Sequence, residues 1–259
     1  KRLTLSKLLS NRQRVFQLAH QICMLDHQTL MKDIAARAHF TSPESDALCK
    51  VGLANYYAGA LLMPYSVFLQ KAQQERYDIE RLQVIFNVSF EQLCHRLSTL
   101  QRPGEKGIPF YFLRVDAAGN ISKRQSASSF HFARVGGACP LWNVHEAFAQ
   151  PGKILRQVAQ MPDGKTYFCI ARTVTRSEGG FLMPQKNFAV GLGCEIAHAP
   201  QLIYSVGIDL QDKESAVPIG VSCRVCERTN CPQRAFPPIG KKIHISETDR
   251  DFLPYRFES

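Results

Sequence analysis

Apolar residues along the first hundred positions recur with helical spacing. Val15, Leu18, Ile22 and Leu25 fall three and four apart, which places them on one face of a helix. A second helix is predicted from about Pro43, with Ala47, Val51, Ala54, Ala58 and Leu61 on its apolar face and Pro64 ending it. A third starts near Asp78 and carries Leu82, Ile85 and Phe86. The next opens on Ser89-Phe-Glu-Gln92, whose Ser and Gln spacing fits a capping box, and continues through Leu93, Leu97 and Leu100.

The pattern changes at Gln101-Arg-Pro-Gly-Glu-Lys-Gly107, a polar, breaker-rich linker. Strand-like runs follow: Ile108 to Val115, a turn over Asp116–Asn120, then Ile121 onward. Met161-Pro-Asp-Gly-Lys165 reads as a hairpin turn leading into Tyr167–Val174, and 177–187 reads as an exposed loop. Phe188-Ala-Val-Gly-Leu-Gly-Cys194 is a short, Gly-rich apolar run, and from about 235 the chain is Pro-rich and irregular. The reading is α+β: a helical domain over 1–100 and a mixed α+β domain over 101–259.

Composition narrows the chemistry. The 259 residues carry 32 Lys and Arg against 22 Asp and Glu, a net charge of +10. An anionic partner, nucleic acid or a phosphorylated small molecule, would explain that surplus; a protein that is merely basic satisfies it equally. No apolar run approaches the ~20 residues that span a bilayer. Nine cysteines in no regular framework, without a signal-peptide pattern, point to a reducing compartment, the cytoplasm. The first residue is Lys rather than Met, as in a fragment lacking an N-terminal part.

Three of the cysteines stand together, in Cys223-Arg-Val-Cys226-Glu-Arg-Thr-Asn-Cys231-Pro232. A C-x2-C-x4-C run in a reducing compartment reads as a metal-binding loop that needs one more ligand. Cys194 is the preferred fourth thiolate, because Gly191 and Gly193 let the backbone approach closely; Cys139 is a second candidate. Cys169 sits in a strand pattern, and Cys23, Cys49 and Cys94 in amphipathic helices, where buried structural thiols are expected. Zinc favours paired C-x2-C knuckles, whereas three clustered thiolates, one remote one and a following Pro232 favour iron–sulfur ligation, with zinc as the alternative. Arg224, Arg228 and Arg234 outnumber Glu227 in the loop and could offset the charge of a four-thiolate cluster.

In the first helix, His20-Gln21-Ile22-Cys23-Met24 echoes the zincin motif H-E-x-x-H without its base or its second histidine. Gly52-Leu-Ala-Asn55-Tyr-Tyr-Ala-Gly-Ala-Leu-Leu-Met-Pro64 resembles the Ala-Asn…Leu-Leu-Met-Pro stretch of ImmA/IrrE metallopeptidases, but residues 49–53 lack that family's zinc-binding Glu. An active peptidase is therefore not expected, and His20 reads as a buried, hydrogen-bonded histidine.

With Ile121-Ser-Lys-Arg-Gln-Ser-Ala127, Gly136-Gly-Ala-Cys-Pro-Leu-Trp-Asn-Val-His145, Gly191-Leu-Gly-Cys-Glu195 and Cys223 through Pro237, the chain resembles the short-chain fatty-acyl transcriptional regulators of propionate and acetate metabolism. The resemblance implies a non-enzymatic sensor with a degenerate peptidase-like N-terminal domain. It implies binding of coenzyme A or short acyl-coenzyme A, and a [4Fe-4S] cluster on Cys194, Cys223, Cys226 and Cys231. It also implies contact with DNA through a helix-turn-helix that this chain does not contain, and it is compatible with a homo-oligomer. Coenzyme A needs cations for its phosphates and an aromatic face for its adenine. Arg14, Tyr57, Tyr65 and Arg124 are the candidates; the bland readings are solvated charges for the arginines and core packing for the tyrosines. Trp142 and His145 are expected to be structural. A zinc-stapled nucleic-acid-binding module is the competing function, though no recognition motif with interleaved aromatics accompanies the basic charge.

Overall fold

Ser10 caps the first helix: its Oγ accepts from the Gln13 amide, and Gln13 Oε1 accepts from the Ser10 amide at 2.8 Å. In the computed structural model, which describes residues 2–132, 137–176, 182–183, 185–248 and 253–257, six helices follow in succession. They are α1 (Asn11–Asp26), α2 (Gln28–Ala36), α3 (Pro43–Leu62), α4 (Tyr65–Gln74), α5 (Ile79–Phe86) and α6 (Phe90–Leu97). Ser42 and Pro43 open α3, with Glu44 and Asp46 in its first turn favouring the helix dipole. The Ser89–Gln92 capping box forms as expected, with the Ser89 amide donating to Gln92 Oε1 at 2.9 Å. The chain divides into two compact units after Arg96 (residues 182–183 group with the first).

The burial of α1 corrects the periodicity. Val15, Leu18, Ile22 and Leu25 are 49%, 50%, 37% and 42% exposed, and the buried residues are Ala19 and Cys23. The packed face thus lies one residue, about 100°, further round the helix. The partner surface explains this: α3 buries Ala54 and Ala58 and leaves Val51 and Leu61 exposed. Small residues on both sides let the helices approach closely, and dispersion contacts reward that approach. Leu82 of α5 is buried as expected, whereas Ile85 is exposed. Helices α2 and α4 are not among the elements expected from the sequence.

The second unit starts with a hairpin, β1 (Gln101–Arg102) and β2 (Glu105–Lys106), in the expected linker. Its main sheet contains β3 (Tyr111–Asp116), β4 (Ile121–Ser126), β5 (Leu155–Gln160), β6 (Thr166–Arg176), β7 (Lys186–Glu195) and β8 (Val217–Pro218), with the short helix α7 (Asn143–Glu146) between β4 and β5. Spatial order is β4-β3-β7-β6-β5-β8, antiparallel except where β8 runs parallel to β5. Two turns follow their sequence signals. Asp116 Oδ1 accepts from the Ala118 and Asn120 amides, and Gly119 and Gly164 take positive φ (83° each). The loop expected over 177–187 lies largely outside the described residues, and Lys186 and Asn187 already belong to β7. Among the described residues after β8, the regular elements are a 3₁₀ turn at Cys223–Val225 and β9 (Ile243–His244) paired with β10 (Arg256–Phe257).

One face of the sheet builds the core. Tyr111, Leu113, Val115, Tyr167, Cys169, Ala171 and Ala189 pack with Phe130, Trp142, Val144 and Ala147. Phe130 is the hub, with ring centroids 4.3 Å from Tyr111 and 5.2 Å from Trp142. Trp142 is 2% exposed, as its structural assignment required; its Nε1 lies beside Tyr111 and Cys169 without forming a well-aligned hydrogen bond. His145 is likewise largely buried, which pushes its pKa down.

Candidate metal centre

The cysteine loop hangs from β5. Strand β8 pairs with Ala159 and Gln160, and Arg228 then reaches back to the same strand: its Nη2 donates to Gln160 O at 2.8 Å and its Nε to Ile219 O at 3.1 Å. Cys223–Val225 form a single 3₁₀ turn, leaving Cys226 7% exposed. Gly220 makes room for this: a Cβ there would lie 2.8 Å from Cys226 Sγ, tighter than real contacts allow.

A second segment is tied to β5 from the other side. Gln157 Nε2 donates to Leu141 O at 2.8 Å, Gln157 Oε1 accepts from the Asn143 amide at 3.1 Å, and the Trp142 amide donates to Cys139 O at 3.0 Å. One strand therefore carries both segments, and Cys139, Cys223, Cys226 and Cys231 line one cavity together with Arg228 and Arg234. The cavity is small, about 10 Å³, and opens to solvent. Burial raises the pKa of Cys139, while the backbone N–H groups of Gly220 and Leu141 and the nearness of Cys223 and Cys226 act on it as secondary influences, the amides lowering it. Amides aimed at a thiol favour its thiolate form. Among the described residues, no three His, Cys, Asp or Glu groups converge closely enough to hold a single metal ion.

Cys194, the fourth thiol preferred from the sequence, does not line this cavity. It lies on β7 opposite Phe168, fully buried, and strand alternation sends it to the face opposite the core that contains Cys139 and Cys169. Burial drives its pKa far up, with Cys169 and Glu195 adding to the rise, so it is a core thiol. The flanking glycines that favoured it serve packing instead. A Cβ on Gly191 would come within 2.6 Å of Leu113 and 2.8 Å of Val144, and one on Gly193 would collide with the Tyr111 ring. Cys169 is structural as expected: it accepts a 2.8 Å hydrogen bond from Tyr111 Oη, and burial pushes its pKa up to about 11. Cys23 and Cys94 are buried and Cys49 half-buried. The signal that could have found Cys139 is its dipeptide, Cys139-Pro140, matching Cys231-Pro232.

The four residues suggested for coenzyme A have individual partners. Arg14 Nη2 donates to Lys7 O at 2.8 Å. Tyr57 packs against Cys23, Met31 and Ala54, with its ring 5.0 Å from His27. Tyr65 lies 5.7 Å from the guanidinium of buried Arg96, which stands at the same distance from Tyr56 and donates to Met63 O. Arg124 is exposed on β4, in the second unit, opposite Leu113. His20 is half-buried, and burial lowers its pKa. No helix among the described residues is long and apolar enough to cross a membrane.

Comparison with known proteins accounts for both units. A family model described as the C-terminal part of short-chain fatty acyl coenzyme A regulators matches residues 99–255, and one for the IrrE N-terminal-like domain matches 1–98. The HTH-type transcriptional regulator PrpR of Mycobacterium tuberculosis is 55% identical over 243 residues, covering 94% of this chain and 50% of PrpR. A propionyl-CoA carboxylase regulator of Cereibacter sphaeroides is 52% identical, covering 93% of this chain and 52% of that protein. The HTH-type regulator RamB of M. tuberculosis is 51% identical over 98% of this chain and 54% of its own length. The chain thus spans about half the length of the curated relatives it matches. A solved M. tuberculosis transcriptional regulator superposes with a TM-score of 0.92 at 53% identity, covering 97% of this chain and 76% of that one. On the family match across its sheet-containing unit, this chain belongs to the short-chain fatty acyl coenzyme A regulators.

Proposed function

We propose that this chain is the non-enzymatic sensing portion of a cytoplasmic transcription regulator of short-chain fatty acid metabolism. It holds a [4Fe-4S] cluster on Cys139, Cys223, Cys226 and Cys231 and takes coenzyme A or a short acyl-coenzyme A as effector. The observation carrying the cluster is the shared cavity, in which four cysteines from two segments of one strand's surroundings meet beside two arginines. The donor set fits the group: thiolates are the ligands such clusters use, and cationic side chains and backbone N–H groups are the surroundings that stabilise a negatively charged one. When bound, the cluster supplies a cross-link between the two segments and a redox-active centre. Cys139 and the loop cysteines hold it, Gly220 leaves room for Cys226, and Arg228 anchors the loop to β5.

The effector reading rests on the family description and the +10 charge. Arg14, Tyr57 and Tyr65 in the first unit and, separately, Arg124 in the second are the candidates for contact with the effector's phosphates and adenine. Effector binding would alter the presentation of a DNA-binding helix-turn-helix elsewhere in the full protein, or of a homo-oligomer, by favouring one of two states.

Anaerobically purified protein is expected to be brown and to contain about four irons per chain. A colourless protein with one tightly held zinc would overturn the cluster assignment in favour of a zinc-stapled module. Calorimetry is expected to show acyl-coenzyme A binding that weakens about tenfold when Arg14 or Arg124 is replaced by Ala, the loss of one charge-assisted contact. Equal binding of an unrelated polyanion, with no response to either substitution, would remove the sensor reading.

A further inference from the structure

Arg234 is a buried cation, 7% exposed, and among the described residues no carboxylate pairs with it. Four of its five N–H donors are taken by neutral carbonyls of the cysteine loop and its continuation. Nη1 donates to Cys223 O at 3.1 Å and Phe236 O at 3.2 Å, and Nη2 to Cys226 O at 3.1 Å and to Arg228 O. The fifth donor, on Nε, is buried and has no partner among the described residues. The Phe257 ring, in the last strand, stacks 4.6 Å from the guanidinium carbon.

That arrangement is unfavourable as it stands. Taking a guanidinium out of water costs several kcal/mol unless a negative charge is near, and an orphaned buried donor adds to the cost. Clamping carbonyls alone does not require a permanent positive charge. Arg234 lines the four-cysteine cavity, and a cubane held by four thiolates carries a net charge of about −2 in its oxidised form. Reduction adds one more electron and makes it more negative.

We propose that Arg234 is the positioning residue and counter-cation of the cluster, with its Nε–H donating to a cluster or thiolate sulfur. The inference rests on the iron–sulfur reading above. The same side chain then ties cluster occupancy to the loop backbone through its four carbonyl bonds, and to the C-terminal strand through Phe257. A cation and a hydrogen bond at the sulfur both favour the reduced, more negative form, so they raise the reduction potential.

The test compares wild type, Arg234→Lys and Arg234→Gln in the cluster-loaded and cluster-free states. Arg234→Gln is expected to assemble a cluster with a more negative midpoint potential, read by spectroelectrochemical titration. Its cluster should be lost to a chelator about 10- to 100-fold faster. Arg234→Lys, which keeps the charge, should restore part of the potential. The gap in melting temperature between loaded and cluster-free protein should shrink in Arg234→Gln, because the coupling between cation and cluster is gone. A purely structural clamp would lower both melting temperatures equally and leave the potential unchanged, which would overturn the proposal. If Arg234→Gln does not fold, the uncharged Arg234→Met takes its place, and a wild-type potential with an unaltered melting gap in that variant has the same meaning. Wild-type protein that takes up no iron would instead refute the cluster itself.

Discussion

Cys139→Ala is expected to reduce bound iron from about four per chain to less than about one, whereas Cys194→Ala retains the full complement. Alanine is preferred to serine because an alkoxide can hold iron in place of a thiolate. The asymmetry follows from placement. Cys139 lines the cavity with Cys223, Cys226 and Cys231, while Cys194 lies on the opposite face of the sheet against Phe168. Iron analysis and visible absorbance of anaerobically reconstituted protein measure the outcome, with circular dichroism to confirm folding. The converse pattern, iron lost from Cys194→Ala and kept in Cys139→Ala, would return the fourth position to β7. Cys194→Ala also leaves a small void in a fully buried site, so it should melt a few degrees lower with its iron intact.

Trp142→Ala is expected to destabilise the second unit by about 3–5 kcal/mol, the usual cost of deleting a large buried aromatic. Melting followed by circular dichroism should shift down by roughly 10 °C or more. The indole is 2% exposed and stacked on Phe130, three residues after Cys139, so its packing fixes the segment that bears Cys139. The variant should therefore lose cluster more readily than a surface substitution of equal charge. Trp142→Phe preserves the stacking with Phe130 and should recover much of the stability. A Trp142→Ala protein within about 1 kcal/mol of wild type would show that the aromatic group centred on Phe130 is not the core of this unit.

Much of the architecture was legible along the chain, because it depends on local rules. The Ser89–Gln92 capping box, the Asp116–Asn120 turn and the positive-φ glycines at Gly119 and Gly164 each satisfy their own backbone within a few residues. The change from helical to alternating pattern near residue 100 announced a helical half and a sheet half. Which face of α1 is buried was not legible: leucine spacing described hydrophobicity, but close packing on Ala54 and Ala58 selected Ala19 and Cys23.

The candidate site divides in the same way. The spacing of Cys223, Cys226 and Cys231 was enough to single out this loop as a candidate for metal, since three thiols within nine residues need little help from the rest of the fold to converge. Their partner was beyond reach, because glycines beside Cys194 look alike whether they admit a cofactor or a neighbouring side chain. The register of β7 with β3 showed that they admit Leu113 and Tyr111. Cys139 meets the loop only because Gln157 holds one segment and Gln160 the other on a single strand, across a separation of 84 positions (139 to 223). Local sequence sets local geometry and donor chemistry. Which distant thiol completes the set depends on strand order and on which face each side chain takes, and those are settled only when the sheet packs.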